Sequence, residues 1–202
     1  MTAFVLPLNY RSNGSSLLYY RIMIEMKKSK TGGFISIVTA LLMVLSPLNA
    51  QSNLGRNLVV SYDRFGPVKI GMTRSQAAKA LGVSVLRGAG YEGNDCYYAS
   101  PKTGFKDIAF MMSGRSIVRI DIGNKDYATD KGAKIGDSEA RIKLLYKGLY
   151  EVSPHKYVEG GHYIEVKVKG RKNIIIFETD GKLVVNYRVG KPEQVGYVEG
   201  CS

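Results

Sequence analysis

The sequence contains no tryptophan, only two cysteines (Cys96, Cys201) and only two histidines (His155, His162). So little sulfur and imidazole leaves scant material for a metal centre or a redox relay, and neither Cys-x-x-Cys nor His-x-x-x-His spacing occurs. A Gly-x-Ser-x-Gly elbow is missing, so a serine hydrolase of that type has no support. The glycines gather at strand ends and turns and make no phosphate loop. A dense Lys/Arg run is missing too, which disfavours nucleic acid as a partner despite a formal net charge of +12. No apolar run reaches the ~20 residues that a bilayer requires. No catalytic residue, cofactor or metal is therefore assigned. What remains is 45% apolar and 23% charged residues with 14 tyrosines, the composition of a folded chain of one domain or two small ones.

The first 50 residues read as a targeting segment. A basic stretch from Met26 (Lys27, Lys28, Lys30) leads into an apolar run from Phe34 to Leu45 and closes on Ser46-Pro-Leu-Asn-Ala50. That is the layout of a cleaved secretory signal over 26–50, with cleavage after Ala50. Residues 1–25 then form an upstream extension, with Met26 the expected initiator, and the absence of a following Cys argues against a lipid anchor. Removing the five basic residues and one acidic residue of this segment leaves 24 and 16, a net of +8 for the mature part. The expected location is periplasmic or secreted, where Cys96 and Cys201 would be oxidised to a disulfide. Closing a loop of roughly 105 residues, that bond is worth up to about 4–5 kcal/mol by the chain-entropy argument.

The main internal feature is a duplication. Lys69-Ile-Gly-Met-Thr-Arg-Ser-Gln-Ala-Ala-Lys-Ala-Leu81 matches Lys134-Ile-Gly-Asp-Ser-Glu-Ala-Arg-Ile-Lys-Leu-Leu-Tyr146. Thr73 and Ser138 suit helix N-caps, Gln76 completes a capping box, and Gly82 and Gly148 are placed to end the helices. Ala77, Ala80 and Leu81 in one helix, and Ile142, Leu144 and Leu145 in the other, form the apolar faces. Downstream, Ile108–Gly123 aligns with Ile175–Gly190 without a gap as two hairpins turning at Ser113-Gly114 and Asp180-Gly181. A strand precedes each, at Cys96-Tyr97-Tyr98 and His162-Tyr163-Ile164. The expected fold class is α+β, two tandem helix-plus-antiparallel-sheet repeats over 51–125 and 126–202, lying in series as two sheets.

Period-two alternation assigns the faces. Phe110, Val118, Ile120, Ile122 and Tyr98, with Ile164, Val166, Val168, Phe177, Val185, Tyr187 and Val189, are expected under the helices. The opposite parity carries Ile117, Ile176, Glu178 and Asn186 beside the residues expected to bind a partner: Tyr97, Met111, Arg119, Asp121, Tyr163, Glu165, Lys167 and Arg188. Tyr, Met and Arg are enriched at protein interfaces. Alanine at Tyr97, Tyr163, Arg119 and Arg188 is accordingly expected to weaken partner capture with little change in melting temperature.

Gly66-Pro-Val-Lys-Ile-Gly-Met-Thr-Arg-Ser-Gln-Ala-Ala-Lys-Ala-Leu-Gly82 resembles the start of the small α+β domain of outer-membrane assembly lipoproteins of the Bam complex. The tandem unit is similar to the β-lactamase inhibitory proteins, and Tyr197-Val-Glu-Gly-Cys201 resembles the ending of a class of bacterial exported proteins. The resemblance spans about residues 66–200 and implies a fold, since its sharp motif, Gly71-Met72-Thr73, is a helix entry. The lipidated Cys of the assembly lipoproteins has no counterpart, and the contact residues of the inhibitors match no positions here.

His155 and His162 are the available imidazole bases; His162 is expected on the helix side, opposite Glu159, and a zinc site from the two with Glu159 lacks ligand spacing. Three functions stay open. The first is a non-catalytic exported module that binds another exported or envelope protein, as an enzyme inhibitor or assembly factor. The second is a binding protein for an anionic or sugar-bearing envelope polymer, favoured by the +8 charge and the tyrosines. The third is an enzyme using His155 or His162. Salt separates the first two, since charge-driven polymer binding falls with ionic strength.

Overall fold

The computed structural model describes residues 58–88 and 95–201, so the 26–50 signal segment and the 1–25 extension lie outside the described residues. No described helix is long and apolar enough to cross a membrane. A small antiparallel meander opens the fold: β1 (Val60–Ser61), β2 (Arg64–Phe65) and β3 (Val68–Lys69). It runs into α1 (Arg74–Leu81), then β4 (Val85–Arg87), β5 (Cys96–Pro101), β6 (Ile108–Ser113) and β7 (Ser116–Ile122). The second half places α2 (Glu139–Leu145) before β8 (Tyr150–Pro154), β9 (His162–Val166), β10 (Ile174–Thr179) and β11 (Val184–Gly190), and ends in the short α3 (Pro192–Gly196).

Both longer helices start at a hydroxyl cap. Thr73 accepts from the Gln76 amide (3.2 Å) while the Gln76 side chain accepts from the Thr73 amide (2.8 Å), and Gly82 ends α1 at φ 69°. Ser138 accepts from the Arg141 amide at 3.2 Å. Helix α2 ends at Tyr146 rather than Gly148, and its buried pair is Ile142 and Tyr146 at i, i+4, leaving Leu144 72% exposed.

The strands form one sheet in the order β4-β5-β6-β7-β11-β10-β9-β8, instead of the two sheets that the sequence pattern predicts. Strands β7 and β11 pair antiparallel, Ile122 with Tyr187 and Ile120 with Val189. Two separate sheets would expose these two inner edges as rows of unpaired amides and carbonyls; joined, each satisfies the other. Helices α1 and α2 and the meander cover one face. Their shared core holds Phe65, Phe110, Ile142, Tyr146, Phe177 and Tyr187, all with no exposed surface. Each such side chain contributes on the order of 1.5–3 kcal/mol.

A bulge in each hairpin changes the predicted parity. Met111 pairs with Arg119 but Met112 with Ile117, leaving Val118 without a partner of its own. Glu178 pairs with Asn186 but Thr179 with Val184, leaving Val185 in the same situation. Ile117 and Val184 therefore enter the helix-side core, whereas Val185 is 45% exposed. The strand before the first hairpin is one residue out of the predicted phase as well. Ala99, paired with Phe110, is buried in the core, so Tyr97 packs on the helix side and Tyr98 on the open side.

Candidate functional site

The open face of the sheet is strapped. After β11 the chain turns across it through α3 and residues 197–201, and Cys201 closes a disulfide with Cys96 at the start of β5. Gly190 makes the exit possible: at φ 151°, a Cβ there would run into the Val118 carbonyl, and the next amide, Lys191, donates to that same oxygen at 2.9 Å. Val195 and Val198 pack on Tyr163, Ile174 and Ile176. At the far end Lys156 bonds Glu199 at 2.8 Å and the Tyr157 hydroxyl donates to the same carboxylate.

Two arginines hold the strap from below. The last carbonyls of a helix lack intrahelical partners. Arg119 Nη1 donates to the Gln194 and Tyr197 carbonyls (3.1 and 2.6 Å), and Arg188 Nε donates to the Val195 carbonyl (2.6 Å). Each guanidinium is paired with a carboxylate, Arg119 with Asp121 at 2.6 Å and Arg188 with Glu178. Arg119 and Arg188 are 5% and 3% exposed and Met111 is fully buried, so these expected docking residues are internal to the fold. An alanine there removes a buried charge pair, which reverses the expectation of an unchanged melting temperature.

Beside the strap, the 101–107 loop and the sheet border an open recess of about 620 Å³. Asp121, Glu178, Asn186 and Arg188 line it, with Ser100, Lys106 and Asp107 also in its walls. Asp121 is half used: Oδ1 takes the Arg119 bonds, while Oδ2 is buried without a hydrogen-bond partner. Its side chain still keeps 26% of its surface. Burial pushes the Asp121 carboxyl above its usual range, against the pull of Arg119. Glu178 goes the other way. Burial alone would raise it, but the bond and charge of Arg188, with the Asn186 amide at 2.7 Å, bring it below its ordinary value.

The remaining predicted residues scatter. Tyr97 lies on the other face, under Arg87, whose guanidinium is 4.0 Å from the ring centroid. Glu165 and Lys167 pair at 2.6 Å near the β8 edge, with Glu151 at 3.4 Å from Lys167. Tyr163 is 9% exposed and stacks on His155 at 4.4 Å between centroids. The Nδ1 atom of His155 accepts the Tyr157 and Val158 amides, both at 3.1 Å, and its Nε2 lies 4.0 Å from Glu178. His162 is on the helix side, where its Nδ1 meets Glu139 at 2.7 Å and Thr179 donates to the same oxygen at 2.6 Å. The two imidazoles thus lie on opposite faces and share no donor set with Glu159. Among the described residues no group of three His, Cys, Asp or Glu side chains is placed to hold a metal.

Sequence reasoning missed Ser100, Lys106 and Asp107, because no periodicity marks where a loop folds back over a sheet. Glu178 and Asn186 were within reach of the parity argument, which places them on the open face, but nothing local singles them out. No protein-family model and no curated protein matches the chain. Among solved structures, the uncharacterized protein yfeY from Escherichia coli is similar at 18% identity and a TM-score of 0.45, over 66% of this chain and 99% of its own.

Proposed function

We propose that this chain is a non-catalytic exported binding module whose site is the recess between the strap and the 101–107 loop. Export is supported by the signal pattern over 26–50 and by the Cys96–Cys201 disulfide, the form such a pair takes in an oxidising compartment. We read the module as a duplicated unit of one helix and four strands. Matching details at aligned positions support this. Gly71 donates to Ile117 and Ile117 to Met72 (2.7 and 2.8 Å), as Gly136 does to Val184 and Val184 to Asp137 (both 2.9 Å). Thr73 bridges Ser116 as Ser138 bridges Leu183, and the two bulges coincide in the alignment.

The observation that carries the binding reading is the recess itself, where Asp121, Glu178, Asn186 and Arg188 from three strands converge beside the 101–107 loop. The recess volume is in the range of small-ligand sites, about 300–1,000 Å³. Docking of a protein over the whole open face has less support, because Met111, Arg119 and Arg188 are sealed beneath the strap.

The test compares the protein with its Ala109→Phe variant, since Ala109 is paired with Asp121 and lines the recess. Both are exposed to envelope extract, and bound material is identified by mass spectrometry. Loss of the retained component in the variant, with a melting temperature within about 3 °C, supports the assignment; equal capture by both refutes it.

A further inference from the structure

The recess is electrically balanced although the chain is basic. Lys106, Arg119 and Arg188 face Asp107, Asp121 and Glu178, so its ionised groups sum to zero. Arg119 with Asp121 and Arg188 with Glu178 are direct contacts, and Lys106 and Asp107 cancel in net charge. An anion entering here meets three carboxylates, and a cation meets three fixed positive groups. Neither finds a net countercharge.

The hydrogen-bonding capacity is mixed in the same way. The bonds that hold Arg188 use Nε and Nη1, and the one that holds Asn186 uses its amide nitrogen, leaving the Asn186 carbonyl oxygen as an acceptor. Lys106 and Asp107, also in its walls, add a donor and an acceptor. At the rim, Asp107 holds φ 57°, the one non-glycine positive φ among the described residues, in a conformation that costs backbone strain. Its carbonyl is tied to the Gly123 amide at 2.8 Å.

A hydroxyl both donates and accepts, and carries no charge. Resting on the binding reading above, we infer that the recess takes an uncharged polyhydroxyl ligand, a saccharide unit, through hydrogen bonds to Asn186 and to Lys106 and Asp107 of the loop. Strength then comes from hydrogen bonds rather than from net charge, so affinity changes little with salt.

The experiment is a titration of the full ¹⁵N-labelled protein, followed by amide chemical shifts, with four probes. These are maltotriose and tri-N-acetylchitotriose as neutral saccharides, tripolyphosphate as a polyanion and spermidine as a polycation. The expected result is saturable shifts at Ala109, Asp121 and Asn186 with a saccharide, and a Kd that changes less than about twofold between 50 and 500 mM NaCl. Asn186→Leu should weaken that binding about tenfold with the fold retained. Ala109→Phe, which leaves the charge pairs in place, should abolish it. Shifts at these amides with tripolyphosphate or spermidine alone overturn the ligand class while leaving the recess as the site. No shift at these amides with any probe, together with equal capture from envelope extract by the protein and Ala109→Phe, removes both.

Discussion

Replacing Arg188 by methionine should be among the most damaging single changes on the open face. Its guanidinium is buried, pairs with Glu178 and holds the Val195 carbonyl of the strap at 2.6 Å. Methionine fills much of the volume but strands the carboxylate of a residue that is 9% exposed, with only Asn186 at 2.7 Å and His155 at 4.0 Å beside it. Breaking a buried pair by removing one partner costs about 3–5 kcal/mol. For a domain of this size that lowers the melting temperature by about 6–20 °C. The pH dependence gives a second check. Glu178 is held below its ordinary value in the folded protein, so its contribution is present above the unfolded carboxylate range and is lost as pH falls through the folded value. Without Arg188 burial raises the Glu178 carboxyl instead, and protonation relieves the stranded charge. The stability gap between the protein and Arg188→Met should therefore be widest at neutral pH and narrow as the solution is acidified. Urea denaturation at several pH values measures it. The double variant Arg188→Met with Glu178→Leu should recover most of the loss, since an apolar pair can replace a buried ion pair at little cost. A single variant costing less than about 1 kcal/mol, or a gap that widens with acid, refutes the buried-pair account.

Reducing Cys96–Cys201, which spans 105 residues, should cost up to about 4–5 kcal/mol in denaturant midpoint experiments; a cost below about 1 kcal/mol would show that the arginines hold the strap unaided. Thr73→Ala should lose about 1 kcal/mol with its capping box, and Ser138→Ala a similar amount from a single cap bond. Equal stability of the Thr73 variant and the parent would refute the cap reading. The bulges are tested by ranking two substitutions: Ile117→Ala should cost about 2–5 kcal/mol, while Val185→Ala stays within about 0.5 kcal/mol. Simple alternation places Val185 in the core and Ile117 outside, so the reverse order would restore unbulged hairpins.

Features set by neighbouring residues were readable in the chain itself. Thr73, Ser138 and Gly82 mark helix ends because a hydroxyl or a left-handed glycine acts on amides and carbonyls a few positions away. Ser113-Gly114 and Asp180-Gly181 mark hairpin turns for the same reason, and a chain with two cysteines allows one intramolecular pairing. Strands β4 and β8 escaped notice because Val85–Arg87 is too short to show a period and Tyr150–Pro154 is an exposed edge strand. The face assignment failed where one extra residue entered a strand. Side-chain direction has a period of two, so the bulges at Val118 and Val185 reverse it.

What the amino-acid order determined alone was therefore local: the helices, their caps, the hairpins and the residues able to form the disulfide. Tertiary structure decided that β7 and β11 join the halves into one sheet and that Arg119 and Arg188 lie beneath a strap rather than in solvent. Both outcomes depend on pairing backbone groups dozens of residues apart. Arg119 reaches the Gln194 carbonyl across 75 positions, and no pattern within one turn or one strand carries that information.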